Sequence, residues 1–201
     1  MRKPGSPNAA SGEKRRSILS AALAVFNQKG FSEASMDDIR SKAGVSNGSL
    51  YHHFKGKDHL AAEVYLEGIR DFQAGMMEAA ARDLPARDGV SELVTRHLHW
   101  FEENPGWARY LARMRHASFM MEGEGAMSEA NRGFGAALCG FFQRHMERGA
   151  MRRLPLGVAI ALVLGPCQEY GRLRLEGVAS GDPALAAHDM AEGAWRAMRN
   201  D

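Results

Sequence analysis

Residues 43–60 read AGVSNGSLYHHFKGKDHL, and their spacing decides the fold. Gly44 supplies the positive φ that a tight turn between two short helices needs. Ala43 is small where the helices approach, and Val45 plugs the gap behind the turn. Leu50 and Phe54 stand four residues apart, so they form the buried side of the second helix, against Ile39 and a preceding helix. The opposite side is left to Asn47, Gly48, Ser49 and His52, with Tyr51 and His53 flanking. Two short helices joined by AGVS have the proportions of a helix-turn-helix. The exposed set suits a DNA groove: asparagine pairs with a base edge, serine donates or accepts, and glycine lets the backbone come near. Tyrosine, histidine and lysine at the helix end suit phosphate oxygens, which position a protein rather than specify sequence. His52 and His53 do not suit a metal, because adjacent helical residues diverge by about 100° and cannot grip one ion.

Upstream, Ile18, Leu19, Ala22, Val25 and Phe26 mark an apolar helix face that begins near Glu13, and Gly30 falls at its C′ position. Ser35 with Asp38 forms a capping-box start, aspartate replacing the usual Glu or Gln. Ser46 caps the helix that ends near Phe54. Downstream of Lys57 a long helix is expected, with Leu60, Val64, Ile69, Phe72 and Met76 inward. Further helical patterns run over about 89–103, 105–120 and 126–150, separated by Asn104-Pro105 and by EGEG at 122–125. Pro155 reads as the first residue of a helix reaching about Glu176, kinked at Pro166. Asp182 and Pro183 read as N-cap and N1 of a last helix. No period-two apolar run rich in β-branched residues occurs. The expected fold is all-α, about nine helices. A flexible basic tail over 1–12 leads into a three-helix domain over 13–57, and a larger bundle fills 58–201.

The chain has 201 residues and a formal net charge of +2, which by itself names no partner. The distribution does: residues 1–60 hold ten Lys/Arg against five Asp/Glu, and no lysine follows Lys57. A basic domain joined to a mildly acidic one points the N-terminal part at a polyanion. Cys139 and Cys167 allow neither zinc spacing nor a disulfide framework. The opening MRKPGSPNAASGEKRR leads into no long apolar run, and VAIALVLG at 158–165 falls far short of the ~20 residues of a bilayer span. A soluble cytoplasmic protein is expected, with no membrane partner, metal or cofactor. His99 and Glu103 lie four apart and read as a partly exposed helix face. GFGAALCG at 133–140 lacks both the lysine and the strand of a phosphate loop. No nucleophile–base spacing, metal motif or carboxylate pair supports an enzyme.

SMDDIRSKAGVSNGSLYHHFKGKDHL at 35–60 resembles the DNA-binding segment of TetR (tetracycline-repressor) type transcriptional regulators. The shared features are Ser/Thr before the first short helix, AGVS as the turn, G-[ST]-L-Y-x-H-F, and a lysine before the linker helix. The resemblance covers about residues 13–60, and the length and all-helical remainder agree with it. It implies phosphate contacts from Ser35, Tyr51, His52, His53 and Lys57, with Lys55 assisting, and base contacts from Asn47, Gly48 and Ser49. Ser46, at the head of the same helix, joins this set. Lys14 and Arg15, placed before the helix-turn-helix, are expected on the DNA backbone or minor groove. Arg40 departs from the family pattern, where a small residue follows Asp-Ile, and costs nothing if it faces outward.

The resemblance also implies a ligand-binding and dimerisation domain over 58–201. Met and aromatic residues there make adaptable apolar surface, and Phe72, Met76, His97, Trp100, Trp107, Tyr110, Met114 and Phe119 are the candidate effector contacts. His116 and Arg113 are further polar candidates. The last two helices are expected to pair with their copies as a homodimer through Leu164, Tyr170, Ala187, Ala191, Ala194, Trp195 and Met198. Two recognition helices then lie one DNA turn apart on a palindromic double-stranded operator. The implied function is a regulator, most often a repressor, released by a small apolar effector.

Overall fold

The computed structural model describes residues 7–114 and 124–200, without the side chains of residues 7–10 and 124. Among the described residues there are nine α-helices and no strand. They are α1 (Pro7–Lys29), α2 (Met36–Ala43), α3 (Asn47–His53), α4 (Lys57–Ala81), α5 (Ala86–Glu103), α6 (Pro105–Met114), α7 (Glu124–Glu147), α8 (Leu156–Leu175) and α9 (Pro183–Met198). The all-α expectation holds. α1 begins at Pro7, ahead of the apolar face near Glu13, so the second half of the expected tail is helical. Pro155 is the N-cap of α8 and not its first residue. Pro166 lies inside α8 and, lacking an N–H, withdraws one intrahelical bond there.

Two compact units divide the chain: residues 1–68 with 109–126, and residues 69–108 with 127–201. α4 contributes its first half to one and its second half to the other.

In the first unit the core is Ile18, Leu19, Ala22, Val25 and Phe26 of α1, Ile39 of α2, Leu50 and Phe54 around α3, and Leu60 and Val64 of α4. α1 stops where Gly30 takes φ 83°, a left-handed conformation that costs glycine nothing. The Ser35 hydroxyl oxygen accepts from the Asp38 amide, and the Asp38 carboxylate accepts from the Ser35 amide at 3.0 Å. This reciprocal box starts α2, and Gly44 at φ 65° ends it. Arg40 faces outward and pairs with Asp37 at 2.8 Å, so its bulk disturbs nothing.

In the second unit α5 packs on α8 and α9. Its stripe Val90, Leu93, Val94, His97, Leu98 recurs at helical spacing and is buried throughout. Two close approaches depend on missing side chains. A Cβ on Gly89 would meet the Phe141 ring at 2.7 Å, and one on Gly171 would meet the Phe101 ring at 2.5 Å. Among the described residues no helix is long and apolar enough to cross a membrane.

Candidate nucleic-acid interface and the aromatic core

α3 is the centre of the candidate interface. The Ser46 hydroxyl oxygen accepts from the Ser49 amide at 3.2 Å and fixes where the helix starts. Leu50 and Phe54 are then buried, while Asn47, Gly48, Tyr51 and His52 are exposed. Ser49 and His53 are half-buried. Tyr51 leaves 55% of its surface in solvent, unusual for a large ring in a packed unit. The His52 and His53 rings meet edge to face at 5.2 Å. Partial burial holds His53 below its ordinary pKa, and the positive charges of His52, Arg15 and Lys14 push it the same way. Lys14, Lys55 and Ser35 are exposed around this surface.

Two expected phosphate contacts are spent inside the unit instead. The Lys57 ammonium donates to the carbonyls of Phe31 at 2.9 Å, Ser32 at 3.1 Å and Ala34 at 3.0 Å, which uses all three of its N–H groups. It also lies 4.7 Å from the Phe31 ring centroid. Arg15 pairs with Glu63 and, at 3.8 Å, with Glu67, both on α4, and its guanidinium covers the Phe54 ring. Both charges tie α4 to earlier parts of the unit. A further strut went unread in the sequence: His59 Nδ1 accepts from the Lys55 amide at 3.3 Å and closes the turn between α3 and α4. The signal was its position four residues past Lys55.

Lys29 donates to Asp38 at 2.7 Å, and that bond, with those from Ser35, lowers the Asp38 pKa to about 2.

The candidate effector residues fall into two groups. Phe72, Met76, His97, Trp100 and Trp107 lie in the second unit, whereas Tyr110 and Met114 lie in the first. Tyr110 packs inside the first unit: its hydroxyl donates to the Ala61 carbonyl at 3.0 Å and its ring stacks on Phe26 at 5.7 Å. It belongs to the helix-turn-helix core, because a buried phenol needs a partner and Ala61 provides one. Phe119 and His116 lie outside the described residues. Arg113 is exposed. Phe72 is the hub of the second-unit group. Its ring meets His97 at 4.8 Å, Trp100 at 5.3 Å and Phe134 at 6.2 Å, all edge to face. Phe101 stacks on His97 at 5.3 Å. The Trp100 indole donates to Asp71 at 2.7 Å, and Gln73 donates to Asn131 at 2.9 Å. His97 is fully buried, neither ring nitrogen has a hydrogen-bond partner among the described residues, and burial lowers its pKa to about 4.

Within one chain most of the residues expected at a dimer interface face inward. Leu164, Ala187, Ala191, Ala194 and Met198 are buried in the protomer's own core, and Tyr170 and Trp195 pack against that core. The small side chains let α9 lie close to α5 within one chain, where Arg87 and Glu192 also pair at 2.6 Å. The outward faces carry Gly157, Val158, Ala161 and Gly165 on α8, with Leu185 and His188 on α9.

His99 and Glu103 form an exposed pair at 3.5 Å. No metal-holding cluster of His, Cys, Asp or Glu occurs among the described residues. Cys167 donates its thiol to the Val163 carbonyl at 3.1 Å, and burial pushes it up to about 12, so it is not a reactive thiolate.

A capped recognition helix with an exposed polar face, on an all-helical chain, defines a helix-turn-helix protein. Residues 18–64 match the family model described as bacterial regulatory proteins, tetR family. The transcriptional repressor KstR2 of Rhodococcus jostii (strain RHA1) is 29% identical over 92 residues, 46% of this chain and 45% of that protein. The chain thus spans less than half the length of this curated relative. A TetR family transcription regulator from Marinobacter aquaeolei VT8 superimposes with a TM-score of 0.80 at 19% identity, over 96% of this chain and all of that one. FadR of Bacillus subtilis, in complex with stearoyl-CoA, gives 0.75 at 18% identity, over 89% and 96% of the two chains. Over residues 18–64 the chain is similar to the tetR family of bacterial regulatory proteins, and over nearly its whole length it shares the fold of TetR family structures.

Proposed function

We propose that the chain is a ligand-responsive repressor that binds a palindromic operator as a homodimer and leaves it when a small apolar effector binds. The observation that carries this reading is the division of α3, with Leu50 buried and Asn47, Gly48, Tyr51 and His52 in solvent. Asn47 and Ser49 read base edges; Tyr51, His52, His53, Lys55 and Lys14 bear on phosphates. Ser35 and Ser46 set the helix starts that present these side chains.

The dimer forms through the outward faces of α8 and α9. Gly157, Ala161 and Gly165 recur every four residues and permit close approach, while Val158 and Leu185 are 44% and 60% exposed. An isologous pair places the recognition helices about 34–36 Å apart, one DNA turn. The effector enters the aromatic core around Phe72, Met76, His97 and Trp100. An apolar occupant agrees only with the stearoyl chain of the stearoyl-CoA named for FadR, whose coenzyme A part is charged. It lowers operator affinity only by binding the released state more tightly. α4 is the covalent route, since one helix carries both Lys57 and Phe72.

A mobility-shift assay on the DNA flanking the gene tests the reading. A retarded complex with a palindrome is expected, and Asn47→Ala alters which sequence is preferred. Failure to bind any palindrome at low and moderate salt counts against it.

A further inference from the structure

His97 is the one described residue whose side-chain polar atoms are all buried and all unpaired. His145 differs, because only its Nε2 is both buried and unpaired. Leaving a buried donor or acceptor unmade costs about 1–3 kcal/mol, and aromatic ring neighbours do not recover it. The walls are Phe72, edge-on at 4.8 Å, and Phe101, stacked at 5.3 Å. Neighbouring polar groups are already committed elsewhere: Asp71 to the Trp100 indole and Gln73 to Asn131.

We infer that His97 is the polar anchor of the effector site, and that the effector is an uncharged apolar molecule carrying one hydrogen-bonding oxygen. A neutral imidazole offers one N–H donor and one nitrogen acceptor, so it serves a hydroxyl through either nitrogen and an ester, thioester or ketone carbonyl through its N–H. A charged headgroup does not fit. Burial alone perturbs His97, with no ionic neighbour contributing, so an ion placed beside it would be buried uncompensated. The aromatic walls take the hydrocarbon part. The inference rests on the reading of the second unit as a sensor and names the chemistry it accepts.

The test uses the purified full chain and three ten-carbon probes: 1-decanol, decanoate and decyltrimethylammonium. The variant His97→Phe keeps a ring of similar size and removes both nitrogens, and circular dichroism with operator binding confirms that it folds. The expected result is a saturable rise in Tm with 1-decanol, little response to either ion, and roughly tenfold weaker decanol binding by the variant, the loss of one hydrogen bond of about 1.4 kcal/mol. Equal decanol binding by both proteins, equal binding of an ion, or no saturable shift with decanol overturns it. Operator binding is measured in parallel. If the duplex is bound but the variant is indistinguishable, the anchor is wrong and the regulator stands; if no duplex is bound, the regulator reading fails.

Discussion

Lys57 donates to the carbonyl of Ala34 at 3.0 Å, one of three such bonds that fill its ammonium and staple the start of α4 to the turn between α1 and α2. It holds the helix-turn-helix together from within. Lys57→Met is expected to cost about 2 kcal/mol of stability, since three carbonyls lose a charged donor. It should weaken operator binding while leaving the salt dependence unchanged. A plot of log affinity against log salt checks this, because losing a true phosphate contact lowers the slope by about 0.9.

Lys55 provides the contrast. It is exposed just past the end of α3, and no ion pair or hydrogen bond of its side chain occurs among the described residues. Lys55→Ala should leave Tm within about 0.5 kcal/mol of unchanged and reduce the salt slope by about one phosphate.

The Lys29–Asp38 bond, together with the Ser35–Asp38 box, makes stability acid-sensitive. The Asp38 carboxyl sits at about 2 when folded, against an ordinary 3.8. Its contribution is fully present above pH 4 and is lost as pH falls toward 2, because the unfolded chain takes up the proton first. Asp38→Asn should flatten urea midpoints over that window.

His97 acts at higher pH. Its folded value of about 4 lies below the ordinary 6.5, so the unfolded state is the one that protonates between them. Stability therefore falls as pH drops from 6.5 to 4, by up to about 3 kcal/mol. His97→Phe should remove that fall, read by denaturant titration at pH 7 and pH 4.5.

The two faces of α9 separate dimerisation from folding. Leu185→Glu, on the exposed face, should yield a folded monomer by sedimentation. Ala191→Glu, on the buried face, should unfold the chain, because it buries an unpaired charge at a cost of several kcal/mol.

Much of the first unit was legible because its determinants are local. Ser35, Gly44, Ser46 and the Leu50–Phe54 pair each act within a few residues, and the structure returns the caps and turn at those positions. Lys57 and Arg15 were not legible, because nothing local says whether a cation meets a phosphate or a carbonyl far along the chain. The α9 stripe failed for a related reason: Ala187, Ala191 and Ala194 announce close helix packing without naming the partner, and here it is α5. His97 could have been found, since Val90, Leu93, Val94 and Leu98 mark the buried face of α5 and His97 falls on it. Phe101 stands one turn further, but only tertiary structure reveals the glycine at 171 that makes room for its ring.

Selection of bound duplexes from a random pool, with the wild-type chain and Asn47→Ala in parallel, tests the central claim most directly. The account predicts enrichment of one palindrome whose half-sites lie one helical turn apart, with the variant altering the bases opposite the N-terminus of α3. Recovery of no sequence above background at low salt, or an identical palindrome from both proteins, would contradict it.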